Sequence, residues 1–319
     1  MTVIRVRHVT TYSYRRPVRF GEHRLIFRPR DSHDQRLMSS AISISPNAEI
    51  HWIHDVFGNC ITIAEIAGAA TELRFETDIV LDHTPQMGPR FRTEERAKLW
   101  PFEYDEECLP DLTPYLRRHH PAPEVEAFAH RFVRPELETE TGRLLMTMTV
   151  GIRESFKYSR RTDPGTQSPV ETLATRTGTC RDFALLMIEA CRSLGLAARF
   201  VTGYIYVPLR DTGPTPRGGG ATHAWVQVFL PGAGWVEFDP TNGIVGSKDL
   251  IRVGVAREPR QAKPLSGSFI GDRRDYLGMT VQVNVTADSG RQKEQSEAAA
   301  AGRRLRDANA ERLTERPRQ

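Results

Sequence analysis

Apolar and polar residues alternate in short runs through the first 83 residues of the chain. The alternation covers residues 4–9, 41–45 and 60–66, and turn-forming residues such as Gly68 separate the runs. A period of two residues predicts β-strands with one buried face, and short strands separated by regular turns are typical of an antiparallel sandwich or barrel. We therefore predict an antiparallel, β-sandwich-like N-terminal domain over 1–83, with a structural or substrate-recruiting role.

The hydrophobic period changes to that of a helix near residue 123. Apolar residues recur at helical spacing over 123–132 and 139–158, and Ser168 followed by Pro169 is a helix-start signal. Strand patterns return after residue 196, over 198–207, 222–230, 235–239, 251–255 and 279–285. Helices followed by an antiparallel sheet predict an α+β domain over 123–286.

Two further segments show no clear period in their hydrophobic residues. Residues 84–122 contain six prolines, which predicts a linker that wraps over one domain or the other. Residues 287–319 are polar, charged and rich in alanine, and we expect a loose helix or a disordered tail without chemistry.

Composition narrows the classes of protein to consider. The 319 residues are 39% hydrophobic and 26% charged, which is typical of a soluble globular protein. The net charge of +4 gives little reason to expect a nucleic-acid partner. The N-terminus lacks an apolar signal core and no apolar stretch approaches the ~18 residues of a membrane span. We therefore expect a cytoplasmic protein without a membrane partner; the sequence gives no oligomeric state.

The four cysteines, Cys60, Cys108, Cys180 and Cys191, form no C-x-x-C pair. Their wide spacing suggests neither a disulfide framework nor a zinc site, so we expect free thiols and no metal or other cofactor.

The most informative segment reads Gly-Thr-Cys-Arg-Asp-Phe-Ala and surrounds Cys180. Gly178 permits a tight turn, Thr179 is a good N-cap, and Asp182 completes a pattern like a capping box. Cys180 then lies in the first turn of a helix, where unpaired N–H groups and the helix dipole favour a thiolate. The alternative is a small buried core residue, which is the reading we adopt for Cys191 in the middle of the same helix.

A nucleophilic cysteine needs a base and a group that orients the base. His223 begins one predicted strand and Asp239 ends the next, so the two strands form a hairpin. An even loop of 231–234 would put Asp239 on the face away from His223, whereas an odd loop pairs Leu230 with Gly234 and puts both on one face. We predict the odd loop or a bulge.

Three blocks of the chain resemble the catalytic blocks of bacterial transglutaminase-like proteins. They are Gly-Thr-Cys-Arg-Asp-Phe-Ala, Thr-His-Ala-Trp-Val-Gln-Val-Phe-Leu and Gly-Trp-Val-Glu-Phe-Asp-Pro-Thr-Asn. The residues at 55–59 also look like part of the β-rich domain that precedes the core in many bacterial members. The resemblance implies a papain-like, transglutaminase-like core with Cys180, His223 and Asp239 as its catalytic triad.

The resemblance also implies a reaction. Cys180 would attack an amide of a peptide or protein substrate to give an acyl-enzyme, His223 would move protons, and Asp239 would orient the imidazole. Hydrolysis by a cysteine protease-like enzyme is the first expectation. The alternatives are transfer of the acyl group to an amine, as in a transglutaminase, and a catalytically silent binding module that keeps the fold.

Three features near the triad remain open at this point. Many relatives have Gln where this chain has Arg181, which either favours the thiolate, recruits an acidic substrate or faces solvent. The Cys180 N–H is one expected oxyanion donor, and Tyr158 is a weak candidate for the second. The glycine-rich segment 208–220 is either a flap over the site or a surface loop.

Overall fold

The computed structural model describes residues 2–84, 92–134, 137–160, 165–206 and 220–287. Its strands, in chain order, are β1 Thr2–Phe20, β2 His23–Arg28, β3 Gln35–Ser45, β4 Ala48–His54, β5 Cys60–Ile66, β6 Ala69–His83, β7 Leu99–Trp100, β8 Thr139–Glu140, β9 Lys157–Tyr158, β10 Thr177–Gly178, β11 Ala198–Ile205, β12 His223–Leu230, β13 Gly234–Asp239, β14 Ile244–Val245, β15 Leu250–Ala256, β16 Leu265–Ser266, β17 Phe269–Ile270 and β18 Tyr276–Ala287. The α-helices are α1 Leu109–Leu116, α2 Pro123–His130, α3 Thr141–Ser155, α4 Pro169–Thr175 and α5 Cys180–Ser193. Short 3₁₀ helices span Glu95–Ala97, Pro259–Gln261 and Arg273–Asp275.

The N-terminal strands form two antiparallel sheets. One sheet has the order β17-β1-β6-β3 with β18 also paired to β1, and the other has the order β16-β2-β5-β4. A shared core of residues from both sheets includes Phe20, Leu25, Ala64 and Phe75. Because the apolar faces of the two sheets pack on each other, the predicted antiparallel β-sandwich is confirmed.

The C-terminal strands belong to this sandwich, which corrects one predicted domain boundary. β18 pairs with β1 over almost its whole length, from Tyr276 opposite Tyr14 to Ala287 opposite Ile4. β16 and β17 pair with β2 and β1. The assignment of 123–286 to a single catalytic domain was therefore wrong for its last three strands, since a period-two pattern does not say which sheet a strand joins.

The second unit is an α+β layer structure, as predicted. Its antiparallel sheet has the order β14-β13-β12-β11-β15. Apolar residues of α2, α3 and α5 pack on one face of the sheet, where they meet Val226, Val228 and Phe238. The other face carries Trp225 and Val201, and near β15 it packs against the sandwich.

The proline-rich segment is packed over the α+β unit for the part that the structure describes. Trp100 Nε1 donates to the Leu194 carbonyl at 2.8 Å. The Tyr104 hydroxyl donates to the Phe229 carbonyl and accepts from the Ala197 N–H, each at 2.9 Å. The segment therefore wraps over the second domain and contributes buried side chains to it, which is more than a linker does.

Two buried side-chain amides join the sandwich to the edge of the second sheet. Asn59 exchanges two hydrogen bonds with the backbone of Val255, at 2.7 and 2.8 Å. Gln35 does the same with the backbone of Arg252, at 2.7 and 3.0 Å. Since β15 is an edge strand, these amides satisfy backbone groups that the sheet itself leaves unpaired.

Over the described residues, no helix is both long and apolar enough to span a lipid bilayer.

Candidate active site

Helix α5 begins at Cys180 because the residues before it cap the helix. Thr179 is extended, and its N–H and hydroxyl donate to the Asp182 carboxylate at 2.8 and 2.9 Å. The same carboxylate accepts from the Gln167 N–H at 2.7 Å. Asp182 is fully buried. The predicted helix start is confirmed, and one carboxylate ties together the backbone on both sides of it.

Gly178 is needed for close packing and not for a left-handed turn. Its φ is not among the positive values of the chain. A Cβ at this position would lie 3.0 Å from the Asp182 Cβ and 3.1 Å from a ring carbon of Phe183. A side chain here would push on the cap that sets the start of α5.

Cys180 and Cys191 lie on the same helix in different surroundings. Cys180 is 7% exposed in the first turn. Cys191 is fully buried near the C-terminal end, where burial raises the pKa of its thiol to about 12. Cys191 therefore stays protonated, as expected of a structural core residue.

The hairpin of β12 and β13 has the predicted odd loop. Leu230 pairs with Gly234 and Val226 pairs with Phe238. His223 and Asp239 consequently share a face, and His223 Nε2 lies 2.8 Å from Asp239 Oδ2. Both side chains are fully buried. The register prediction is confirmed.

Asp239 is held as a carboxylate by several donors. Its Oδ1 accepts from the Thr241 N–H at 2.9 Å, and its Oδ2 accepts from Asn242 Nδ2 at 2.8 Å. Burial would raise the pKa of Asp239, but the charge of His223 and these hydrogen bonds lower it below the ordinary value. Asn242 was not singled out from the sequence, although an Asp-Pro-Thr-Asn turn is a place where such side chains bind locally.

His223 is held in its charged form. Burial alone would lower the pKa of His223, but the Asp239 carboxylate, through its charge and a hydrogen bond, and the neighbouring Cys180 sulfur raise it to about 10. The second ring nitrogen, Nδ1, is buried and has no hydrogen bond to any described nitrogen or oxygen. Nδ1 is therefore the nitrogen left for the Cys180 thiol.

Trp225 supports the imidazole from the same face of the sheet. The two rings are stacked at 5.9 Å between centroids with an interplanar angle of 30°. Gly203 lies opposite His223, and a Cβ there would be 2.7 Å from the Trp225 ring and 2.0 Å from the Ile251 carbonyl oxygen. A glycine at 203 thus makes room for the tryptophan that fixes the histidine ring.

The contacts of Arg181 give it a structural role that none of the three interpretations from the sequence included. Its guanidinium donates to the carbonyls of Pro259 and Ala262, at 3.1 and 3.4 Å, and lies over the Phe200 ring. Burial lowers the pKa of Arg181, and the adjacent Cys180 and Asp182 offset part of that effect. Arg181 therefore anchors the helix start to the segment after β15 and does not face solvent.

Tyr158 lies beside the start of α5. β9 and β10 pair in parallel with Tyr158 opposite Gly178, two residues before Cys180. Burial, followed by the charge of Cys180, raises the pKa of Tyr158, so its hydroxyl keeps its proton. The segment 208–219 suggested as a flap lies outside the described residues. Among the residues that the structure describes, no group of three or more His, Cys, Asp and Glu could hold a metal ion.

Two family profiles match the chain. The profile of the bacterial transglutaminase-like N-terminal region matches residues 4–82, and that of the transglutaminase-like superfamily matches residues 126–240. The first match covers the sandwich strands β1 to β6, and the second contains Cys180, His223 and Asp239.

Relatives of similar length occur in mycobacteria. An uncharacterized protein of Mycobacterium leprae is 28% identical over 287 residues, which cover 88% of this chain and 98% of that protein. An uncharacterized protein of Mycobacterium tuberculosis is 28% identical over 300 residues, which cover 88% of this chain and 91% of the relative.

A solved structure shares the whole architecture. The crystal structure of a "putative cysteine protease" from Cytophaga hutchinsonii superposes with a TM-score of 0.66 and 18% identity, and the match covers 90% of each chain. The two profiles span more than half of the sequence in the order of the two structural units, and the chain belongs to the transglutaminase-like superfamily, with the bacterial transglutaminase-like N-terminal region ahead of its core.

Proposed function

We propose that this chain is a thiol enzyme that hydrolyses amide bonds of a peptide or protein through Cys180, His223 and Asp239. The observation that carries the proposal is the buried arrangement of the three side chains. Cys180 opens α5 beside His223, and Asp239 holds the far nitrogen of the imidazole at 2.8 Å. A nucleophile, a charged imidazole and an orienting carboxylate in this order are the parts that acyl transfer by a thiol requires.

The first step forms an acyl-enzyme. The Cys180 thiolate attacks the amide carbon, a C–S bond forms, and the carbonyl oxygen becomes an oxyanion. His223 then gives its Nδ1 proton to the amide nitrogen, the C–N bond breaks, and the amine leaves.

The oxyanion needs donors that point to its position. Cys180 is the first residue of α5, so its N–H has no acceptor within the helix and is free to donate. The Tyr158 hydroxyl, beside the same helix start, is the second donor that we propose.

The second step returns the enzyme to its resting state. Water gives a proton to His223 Nδ1 and attacks the thioester carbon, the C–S bond breaks, and a carboxylic acid leaves. An amine in place of water would give acyl transfer, as in a transglutaminase. Water is the acceptor we expect because it is always present at the thioester, whereas transfer needs an amine bound beside it.

Alkylation of the cysteines tests the nucleophile. Limiting iodoacetamide is applied from pH 5 to 9 to wild type, Cys180→Ala and His223→Ala, and the labelled sites are read by intact mass and peptide mapping. We expect one fast site at Cys180 that persists below pH 7 and is lost in His223→Ala. His54→Ala, at an exposed histidine, is the matched control and leaves labelling unchanged. Slow labelling of Cys180, or labelling independent of His223, would favour a binding module that keeps the fold without its chemistry.

A second experiment decides whether water or an amine accepts the acyl group. Casein is incubated with the enzyme in the presence of a fluorescent primary amine, and new N-termini and incorporated fluorescence are measured together. New N-termini without fluorescence support hydrolysis, whereas fluorescence in casein that disappears in Cys180→Ala indicates acyl transfer. We expect His223→Ala to lower the rate of either reaction by about 10²–10⁴-fold.

A further inference from the structure

Four large apolar side chains are exposed at one end of the sandwich. Ile270 of β17 is 66% exposed, and Tyr276, Leu277 and Met279 at the start of β18 are 43, 58 and 49% exposed. Single exposed apolar residues are ordinary on a protein surface, whereas a contiguous group of them marks an interaction site.

An aromatic cluster brings these exposed side chains together. The rings of Phe269 and Tyr276 are stacked with their centroids 6.3 Å apart, and both rings pack against Tyr14 of β1, at 5.0 and 5.9 Å. Ile270 and Leu277 are the residues that directly follow the two stacked rings. The exposed apolar side chains of β17 and β18 therefore lie close together, although β17 and β18 do not pair with each other.

The same end of the sandwich is rich in arginine. Residues 15–19 of β1 contain three arginines, and residues 270–279 contain two arginines and two aspartates, so the two segments together carry a net charge of +3. All five arginines are exposed. Asp272 forms its ion pair with Arg274 at 2.7 Å, and the other four arginines have no ion pair with a described carboxylate.

The arginines lie beside the apolar side chains. Arg19 is directly opposite Ile270 in the pairing of β1 with β17. Hydrogen bonds from Arg274 and, to a smaller extent, the charge of Arg16 lower the pKa of Asp272, which puts Arg16 near the turn that joins β17 to β18. Residues 15–19 and 270–279 thus form one surface, the sandwich-end patch, which is both apolar and basic.

The charge of the sandwich-end patch argues against two occupants from this chain itself. Residues 288–319, which follow β18, contain eight basic and six acidic residues, so their net charge has the same sign as that of the patch. A second copy that bound through the same patch would bring two positive surfaces together, which is unfavourable. The patch therefore fits a partner that is negatively charged and also accepts apolar side chains.

We propose that the sandwich-end patch binds the surface of an anionic lipid bilayer. The aliphatic side chains would enter the boundary between headgroups and acyl chains, Tyr276 would lie among the headgroups, and the arginines would bind lipid phosphates. An acidic protein would also satisfy the arginines, but it would leave the apolar side chains against a polar surface. No membrane partner was expected from the sequence, because the patch combines residues from the two ends of the described chain. The contact is peripheral, and it does not depend on the proposed function.

Sedimentation of the full chain with lipid vesicles tests the proposal. The vesicles contain phosphatidylcholine alone or with about 30% phosphatidylglycerol, and the bound fraction is measured at low and at high salt. We expect binding to the anionic vesicles only, and at least about tenfold weaker binding at high salt, because salt screens the charges of the arginines. The proposal is overturned if the anionic vesicles do not bind the protein, or if neutral vesicles bind it equally well. Binding to immobilised poly-L-glutamate in place of vesicles would assign the patch to acidic proteins and would reject a lipid partner.

Substitutions in the sandwich-end patch locate the contact. Arg19→Ala removes one cation and Ile270→Ser removes one apolar side chain, and each should weaken binding to the anionic vesicles at least about fivefold. Arg36→Ala and Met38→Ser are the matched controls, because both residues are exposed on β3 at the opposite edge of the same sheet, and they should leave binding unchanged. A loss in Arg19→Ala alone would indicate attraction to any polyanion, and a loss in Ile270→Ser alone would indicate an apolar contact without lipid phosphates. Either result, or unchanged binding in both variants, rejects the proposal.

Discussion

The imidazole of His223 lies between two partners that both favour its charged form. Asp239 binds Nε2, and the Cys180 thiol is close to the other side of the ring. Asp239 is in turn fixed by Asn242 and by the N–H of Thr241. At the scale of residues, Asn242 and Thr241 favour the charged form of Asp239, and Asp239 in turn favours the charged form of His223.

The Asp239→Asn variant tests that chain. The substitution removes the largest of the effects that raise the pKa of His223 and keeps the burial that lowers it, so we expect the pKa to fall well below about 10. An NMR titration of the His223 Cε1–H signal measures it. Asp272→Asn, at an exposed acid, is the control. A pKa that stays near 10 in Asp239→Asn would contradict the assignment of Asp239 as the main partner.

The raised pKa of His223 in the wild-type chain makes folding stability depend on pH. Because the pKa of His223 is higher in the folded chain than the 6.5 of an unfolded one, protonation stabilises the fold fully below pH 6.5. We expect this contribution to disappear as pH rises towards 10. Urea unfolding of wild type and Asp239→Asn at several pH values measures this contribution as the difference between their free energies of unfolding. We expect that difference to shrink as pH rises, and a difference that grows with pH would contradict the expectation.

At the scale of elements, the start of α5 depends on one buried carboxylate. Asp182 accepts from the N–H and hydroxyl of Thr179 and from the N–H of Gln167. These bonds hold the backbone on both sides of Cys180, so the position of the nucleophile and the stability of the helix have the same origin.

The Asp182→Ala variant tests whether this carboxylate stabilises the chain by more than an ordinary acid in the first turn of a helix does. We expect a loss of about 2–5 kcal/mol in the free energy of unfolding, because buried donors are left without an acceptor. Urea unfolding measures the loss. Asp111→Ala is the matched control, since Asp111 is an exposed acid in the first turn of α1, and it should lose less than about 1 kcal/mol. Equal losses in the two variants would mean that Asp182 acts only through the helix dipole.

At the scale of the whole molecule, the sandwich completes the second sheet. Asn59 and Gln35 bind the free edge of β15 in the way a neighbouring strand would. Apolar residues of β11 and β15, such as Tyr204 and Ile251, are buried in the same interface. The N-terminal region therefore contributes to the structure of the second unit.

The Asn59→Ala variant tests how much this junction stabilises the chain. Asn59 is fully buried, and its loss leaves both the N–H and the carbonyl of Val255 without partners. We expect a loss of about 2–4 kcal/mol in the free energy of unfolding. Asn284→Ala, on the exposed face of β18, is the control and should change it by less than about 0.5 kcal/mol. If the two variants unfold alike in urea, the junction does not hold the two units together.

Local sequence patterns determined the start of α5 and the register of the β12–β13 hairpin. The cap at Thr179 and Asp182 could be predicted because a helix start depends on groups only a few residues apart. The shared face of His223 and Asp239 could be predicted because side chains alternate strictly along a strand, so the parity of a short loop fixes the face.

The tertiary structure alone decided which distant segments meet. A period-two pattern records that β18 has a buried face, and it does not record that β1 is its partner. The amides of Asn59 and Gln35 likewise had no local signal, since their partners on β15 lie far along the chain and across a domain boundary. Their roles arise when folding removes water from polar groups, and only the folded arrangement decides which other group replaces that water.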